Sequence, residues 1–482
     1  LRRLLELKSR NAVLVAASAM FMAQLDGAVL VIALPRIARD FHVPVISLSL
    51  SITIYLTMLV AMLPISGWCA DRFGAKRVFM AATLGFAFFS LCCALSTGLC
   101  SFVLARALQG AAAALFAPVG RLILLRQTPK HELVDALAIT AMPMLIAPTL
   151  GPSLGGFIVQ YARWEYIFLL NLPISVLLFL ATRATIPRME PEAPRKLDIV
   201  GAILVSGALT AVLTGIDRLV IGFDALLPWG LILGGLVLAG AAWRHLESHP
   251  SPILTFGAMR NPGFRTAAIG AGAVVRLPAR AMLLGLPLML QLGFGFSPLW
   301  AGVMLIALNG GDLVTKPLIK PAFDRYGYRQ TTIAGSLTGL AALAFIALAR
   351  PGTLLAPLLL AALTVCGMAR SLTFTAMTSL SFSSLTASTM TSGNIIASIS
   401  MQIFNALGVS ITAVILSLLA KLGGRAEPAM IDYRHAMLVI VLIGLAATIR
   451  LRNQIPEDLA PARPRVREDP EEARERARGD LD

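Results

Sequence analysis

Pro64-Ile65-Ser66-Gly67-Trp68-Cys69-Ala70-Asp71-Arg72-Phe73-Gly74 returns 253 residues later as Pro317-Leu318-Ile319-Lys320-Pro321-Ala322-Phe323-Asp324-Arg325-Tyr326-Gly327. The shared skeleton is a proline, six residues, then Asp-Arg-aromatic-Gly. Each copy closes an apolar run and opens a basic stretch, as a helix does where it leaves a membrane toward a cation-rich loop. A skeleton repeated at this distance in a chain of 482 residues reads as two related halves.

On both sides of each copy lie further apolar runs, many near the roughly 20 residues a helix needs to cross a bilayer. Hydrophobic residues make up 57% of the chain and charged residues 14%, well below the roughly 25% charged in an ordinary globular protein. A mean hydropathy of +0.78 agrees. The expected fold class is therefore an all-α integral membrane protein. The first run, 11–35, is too long for a cleaved signal segment and reads as a retained helix. The net charge of +15 does not indicate nucleic acid, because the cations sit between apolar runs and form no stripe with interleaved aromatics. Cys69, Cys92, Cys93, Cys100 and Cys366 show no CxxC spacing, so neither a zinc ribbon nor a disulfide framework is expected.

Runs between charge clusters predict fourteen transmembrane spans, at about 11–35, 46–66, 78–96, 101–127, 133–160, 166–183, 198–217, 226–243, 265–291, 297–320, 329–349, 353–370, 390–419 and 435–452. With the N-terminus in the cytoplasm, inside segments hold 30 Lys and Arg and outside loops hold 8. Arg106, Arg276 and Arg280 are then the cations left inside spans. Dropping one span would invert every later loop and destroy this asymmetry, so both termini are expected in the cytoplasm. The two copies of the repeat follow spans 2 and 10. Six-helix halves would put them six spans apart; the observed eight imply two additional helices between the halves. The expected organisation is a six-helix half over 1–183, a linker with two extra helices over 184–264, a second half over 265–452, and a disordered cytoplasmic tail over 453–482. Paired halves with a substrate path between them are typical of secondary transporters.

Chemistry inside the membrane is sparse. The five histidines fall in predicted loops and no glutamate falls in a span; Asp26 and Asp312 lie well inside spans, with Asp217 near an outer end. An ionisable residue at the bilayer centre costs roughly 2.5–3.5 kcal/mol on insertion scales, which marks a functional site. A proton-driven machine needs a group whose charge can be neutralised there. Asp26 and Asp312 are the proton-coupling candidates, with Arg106 as the partner of Asp26. Arg276 and Arg280, one turn apart around Pro278, share a helix face. They read either as ligands of an anionic group or as structural cations paired with Asp312 or backbone carbonyls. Gln24 and Asn309 complete the candidate substrate-binding set. Gly151-Pro152-Ser153-Leu154-Gly155 has the spelling of a nucleophile elbow but lies in an apolar helical run with no intramembrane histidine. No P-loop and no HExxH occurs. An enzyme is not expected, no cofactor or outer-membrane partner is identified, and a membrane receptor or scaffold is the remaining alternative class.

Several segments together resemble the fourteen-helix drug:proton antiporter branch of the major facilitator superfamily. They are Gly67 to Arg77, with Gly67, Asp71, Arg72, Gly74, Lys76 and Arg77 in the loop pattern; Leu25-Asp26-Gly27 and Ala33-Leu34-Pro35; Arg106-Ala107-Leu108-Gln109-Gly110; Gly151-Pro152-Ser153-Leu154-Gly155-Gly156; and Arg163-Trp164 with Asn171-Leu172-Pro173. Cys69, Ala75 and Ala147 depart from the commonest residues of these patterns. The resemblance covers nearly the whole chain. It implies a proton-coupled exporter of small organic compounds in a bacterial inner membrane, working by alternating access, with spans 1, 4, 5, 9, 10 and 13 lining the cavity. The loop after span 2 would act as a cytoplasmic latch, and Gly151, Pro152, Gly155 and Gly156 would bend and seal span 5. An anionic metabolite or chelator bound by Arg276 and Arg280 is the alternative substrate.

Overall fold

The structure is a computed structural model that describes residues 9–128, 133–189, 198–219, 225–250, 252, 256–350, 355–383, 385 and 387–454. Nearly all of the expected 453–482 tail, and the proline-rich linker at 190–197, lie outside these residues. The long helices are α1 (Arg10–Phe41), α2 (Ser49–Phe73), α3 (Ala75–Ala94), α4 (Leu99–Leu124), α5 (Leu133–Tyr161), α6 (Tyr166–Thr185), α7 (Ile199–Arg218), α8 (Leu226–Ser248) and α9 (Pro262–Gly293). The continuous run Pro298–Leu348 follows, then α12 (Leu355–Ser383), α13 (Ala387–Leu422) and α14 (Met430–Arg452).

The repeat has one structural meaning in both copies. Gly74 (φ 86) separates α2 from α3, and Gly327 (φ 74, ψ 168) divides Pro298–Leu348 into α10 (298–326) and α11 (328–348). Only glycine takes positive φ at no steric cost, so each Asp-Arg-aromatic-Gly ends one helix and re-aims the next. Twelve helices among the described residues are long and apolar enough to cross a membrane, Pro298–Leu348 counting as one. Its 51 residues would rise about 76 Å at 1.5 Å per residue, far beyond a hydrocarbon core of about 30 Å. It therefore holds two segments of spanning length. α5, with 29 residues, is long enough by the same measure.

Most boundaries fall within a few residues of expectation. The largest departure is span 12, expected to end at 370 but helical to Ser383. The Ser- and Thr-rich stretch that reads as a loop folds its hydroxyls back on the helix: Thr373, Thr378 and Ser381 donate to the carbonyls of Ala369, Phe374 and Met377. Arg370 therefore lies inside a helix, which corrects its assignment to a cytoplasmic loop. α9 is irregular, with π-helical turns at Arg265–Ile269 and Met289–Gly293 and a break at Arg276 before Pro278.

The first six and last six helices meet along two seams, α5 against α10 and α2 against α13. At the first seam a Cβ on Gly156 would lie 2.4 Å from the Pro298 carbonyl oxygen, and one on Gly302 would lie 2.2 Å from that of Pro152. At the second, Thr53 and Ser410 hydroxyls are 3.1 Å apart. Gln291 adds a bond to the Ile32 carbonyl. These contacts cluster toward the end of the bundle remote from the chain termini. α7 packs on α2 and α13 at the second seam, and α8 leans on α7 with Leu226, Leu233, Leu236 and Val237 exposed, as a lipid-facing helix would.

Candidate functional site

Asp26 stands in the interior of α1 and is 2% exposed; Arg106 on α4 is fully buried. The Arg106 Nη1 donates to Asp26 Oδ2 at 2.6 Å and to Gln109 Oε1 at 2.6 Å. Asp26 Oδ1 accepts from Gln109 Nε2 at 3.1 Å and from Asn171 Nδ2 at 2.7 Å. Ser90 on α3 accepts from both of those amides and donates to the Phe168 carbonyl. Four helices thus supply one polar network, and the carboxylate takes donors on both oxygens. The guanidinium lies 4.2 Å from the Tyr55 ring centroid, a cation–π contact that is strong only where water is excluded. That contact depends on Gly110, where a Cβ would sit 2.4 Å from the Tyr55 carbonyl oxygen, so α2 and α4 touch backbone to backbone. Among the described residues the Nε and Nη2 of Arg106 are buried without a hydrogen-bond partner, so the charge is met by the Asp26 carboxylate, the Gln109 side-chain oxygen and the rings of Tyr55 and Phe168.

The glycines of α5 bring this network to the seam. A Cβ on Gly151 would meet Ala28 at 2.5 Å, and one on Gly155 would meet the Val29 carbonyl at 2.7 Å, while Gly156 faces α10. α5 is thereby clamped between α1, which carries Asp26, and the second group of helices. Pro152 has no N–H to give the carbonyl four residues earlier, that of Pro148. Asn309 of α10 takes that vacated acceptor, donating its Nδ2 at 2.7 Å.

Asp312 is one turn from Asn309. Its partners are Arg370 (3.3 Å) and Lys316 (3.4 Å), and Arg370 also donates to Asn309 Oδ1 at 2.9 Å. Close backbone contact sets this up: a Cβ on Gly311 would meet the Thr364 carbonyl oxygen at 2.2 Å, and one on Gly367 would meet that of Leu308 at 1.8 Å. Arg276 instead donates Nε to the Gly272 carbonyl at 3.1 Å and Nη2 to the Ala267 carbonyl. These acceptors belong to the broken stretch of α9, where the Arg276 amide bonds to Ala273 rather than Gly272. Arg280 stacks on the Phe374 ring, 4.5 Å from its centroid, with Arg276 on the same ring at 5.8 Å. Of the pairings weighed from sequence, the structure has the carbonyls for Arg276 and gives Asp312 to Arg370 and Lys316. The charge count also changes, since Arg370 joins the intramembrane arginines.

Gln24 is exposed, two residues before Asp26, and Gly27 faces open space. In the loop motif, Lys76 donates to the carbonyls of Arg183 (2.8 Å) and Ile186 at the end of α6, a cation on orphan C-terminal carbonyls. Asp71 is half-buried beside exposed Arg72, and Gly67 faces open space. Residues that sequence reasoning missed are Ser90, Tyr55 and Arg370, and the full burial of Asp217. The Asp217 carboxylate, on α7, accepts from Thr53 (3.2 Å) and Ser410 (3.1 Å), one from each side of the second seam. Gln109 and Asn171 were visible as motif letters, and their signal as ligands is an amide inside an apolar run.

A profile of the Major Facilitator Superfamily matches residues 16–409. Proteins of Yersinia pestis (strain Pestoides F) and Yersinia pseudotuberculosis (strain IP 31758) that carry the name multidrug resistance protein MdtD are each 32% identical over 447 residues, covering 91% of this chain and 94% of their own. The fold is similar to that of a peptide transporter POT (TM-score 0.66, 16% identity, 92% of this chain and 95% of that one). It is also similar to a bacterial homologue of the human lysosomal transporter Spinster in an inward-facing, unoccupied conformation (TM-score 0.65, 15% identity, 92% and 96%). At such identities the likeness is one of fold.

Proposed function

The chain belongs to the major facilitator superfamily and is a multi-pass membrane transporter, not an enzyme, and from that premise we propose that it exports small organic compounds in exchange for protons across a bacterial inner membrane. The carrying observation is the buried Asp26–Arg106 pair with its amide and hydroxyl ligands. Protonating Asp26 would leave the Arg106 charge without its counter-ion in a low-dielectric site. The network must then rearrange, and it lies on α1, directly against the glycine face of α5 that seals the two helix groups together. Proton binding and seam opening are thus mechanically joined. Asp312, Lys316 and Arg370 offer a second, more exposed charged cluster in the later half. The proposed halves are 1–183 and 265–452, with 184–264 adding α7 and α8. With both termini in the cytoplasm, the closed seams face outward, so this conformation opens toward the cytoplasm. The latch role of Asp71, Arg72 and Arg77 belongs to the opposite state. The multidrug resistance name of the relatives supports the substrate class. The test is Asp26→Asn in proteoliposomes with an imposed pH gradient. Gradient-driven export is expected to vanish while substrate exchange persists; export at the wild-type rate would remove Asp26 as the coupling acid.

A second reading concerns substrate charge. Arg276 and Arg280 lie over the Phe374 ring, and Arg370, one turn before Phe374, pairs with Asp312, an excess of positive charge suited to a carboxylate-bearing metabolite or chelator. Arg280, which lies over an aromatic ring and makes no ion pair within 4.0 Å among the described residues, is the residue to change. Arg280→Gln should cut export of anions by tenfold or more while sparing matched cations. Equal loss for both would return Arg280 to a packing role.

A further inference from the structure

We propose that Asp198, His245 and His249 form a site for a divalent transition metal of the zinc or nickel class at the end of the α7–α8 hairpin nearest the chain termini. His245 and His249 are one turn apart at the end of α8, so they share a face. Asp198 is the N-cap of α7, its side chain accepting from the Gly201 amide at 2.7 Å. The hairpin brings them together because its register is tightly set. A Cβ on Gly215 would meet the Pro228 carbonyl oxygen at 2.8 Å, and one on Gly235 would meet the Val212 amide nitrogen at 2.8 Å. Two glycine contacts fix how α7 and α8 slide past each other, and Asp198 then falls opposite His245.

The donor set suits a metal in type, number and access. One ligand atom from each of the three residues lies within 4.8 Å of the others; donors in a tetrahedral zinc site stand about 3.3 Å apart, given bonds of roughly 2.0–2.1 Å. Small rotations of two imidazoles close that gap. His245 Nε2 is already 2.6 Å from Asp198 Oδ1. The carboxylate is buried and held by a backbone amide, which is the outer-shell support that orients a ligand. Both imidazoles are partly exposed, which leaves an entry path and a fourth position for water. A plain Asp–His ion pair accounts for one imidazole. The second ring stands 5.1 Å from the first, and its ligand nitrogen completes the triad with Asp198. Two imidazoles and a carboxylate are a donor set that zinc and nickel select.

The test uses the full-length protein in detergent with any polyhistidine tag removed. Calorimetric titration with Zn2+ should give one equivalent bound at micromolar or tighter affinity, and Co2+ should give the visible absorption of a low-coordinate site. His249→Ala and Asp198→Asn should each weaken Zn2+ binding at least tenfold. Asparagine caps a helix as well as aspartate, so the second variant keeps its fold while losing the charged ligand. Zn2+ should raise the melting temperature of the wild-type protein and leave both variants unmoved. Absence of binding below 1 mM in the wild-type protein, or unaltered binding in either variant, would overturn the site.

Discussion

Asp26 and Arg106 share a pocket that water does not reach, so changing one strands the other. Truncating one member of a buried pair typically costs about 3–5 kcal/mol, most of it the uncompensated charge left behind. Arg106→Gln should therefore lower the melting temperature in detergent well below that of the wild-type protein. Asp26→Asn combined with Arg106→Gln should recover much of the loss, because Gln109, Asn171 and Ser90 can still bond a neutral amide. A single mutant as stable as wild type would mean that the amides alone satisfy Asp26. The same reasoning separates two neighbouring arginines on α9. Arg276 neutralises carbonyls that a broken helix exposes, whereas Arg280 faces a ring, so a shared helix face does not give them a shared job.

Among the elements, α5 has the most demanding position, pressed on α1 by Gly151 and Gly155 and on α10 by Gly156. Small residues allow this because helices in lipid associate through close backbone packing rather than hydrophobic burial. Adding one methyl at such a contact should cost about 1–3 kcal/mol through overpacking. Gly302→Ala and Gly156→Ala are expected to destabilise the closed seam, seen as a lower melting temperature and greater labelling of cysteines introduced along α5. Gly27→Ala is the control: its Cβ meets nothing within 4 Å, and alanine favours a helix by up to about 1 kcal/mol over glycine. If all three behave alike, steric contact at the seam is not what the α5 glycines provide.

At the scale of the whole molecule, the two helix groups are joined on one side of the membrane, and α7 is joined to both. Thr53, Ser410 and Asp217 form a three-way hydrogen-bonded contact among α2, α13 and α7. Rocking of the halves must break it. Thr53→Cys with Ser410→Cys, in a protein whose five native cysteines are replaced, should form a disulfide under mild oxidation. Export should then stop and return on reduction. Transport unaffected by a complete cross-link would exclude separation of α2 and α13 from the cycle.

The sequence by itself determined the class of protein, the positions of its spans, the internal repeat and the short list of intramembrane charges. These are legible because transfer of a side chain into lipid is a per-residue cost, so a charge inside a span stands out without any neighbour being known. The Asp26–Arg106 pairing follows from the same scarcity. Arg370 escaped because a Ser- and Thr-rich helix looks like a loop until its hydroxyls are seen bonding back one turn. Asp217 looked peripheral because nothing local announces that two hydroxyls from distant helices will cover it. Only the tertiary structure decided which cation meets which anion, which carbonyl Pro152 frees for Asn309, and which histidines meet Asp198. Each depends on the rotation and register of helices far apart in the chain, and those are set by glycine contacts between backbones that no periodicity in one strand of sequence encodes.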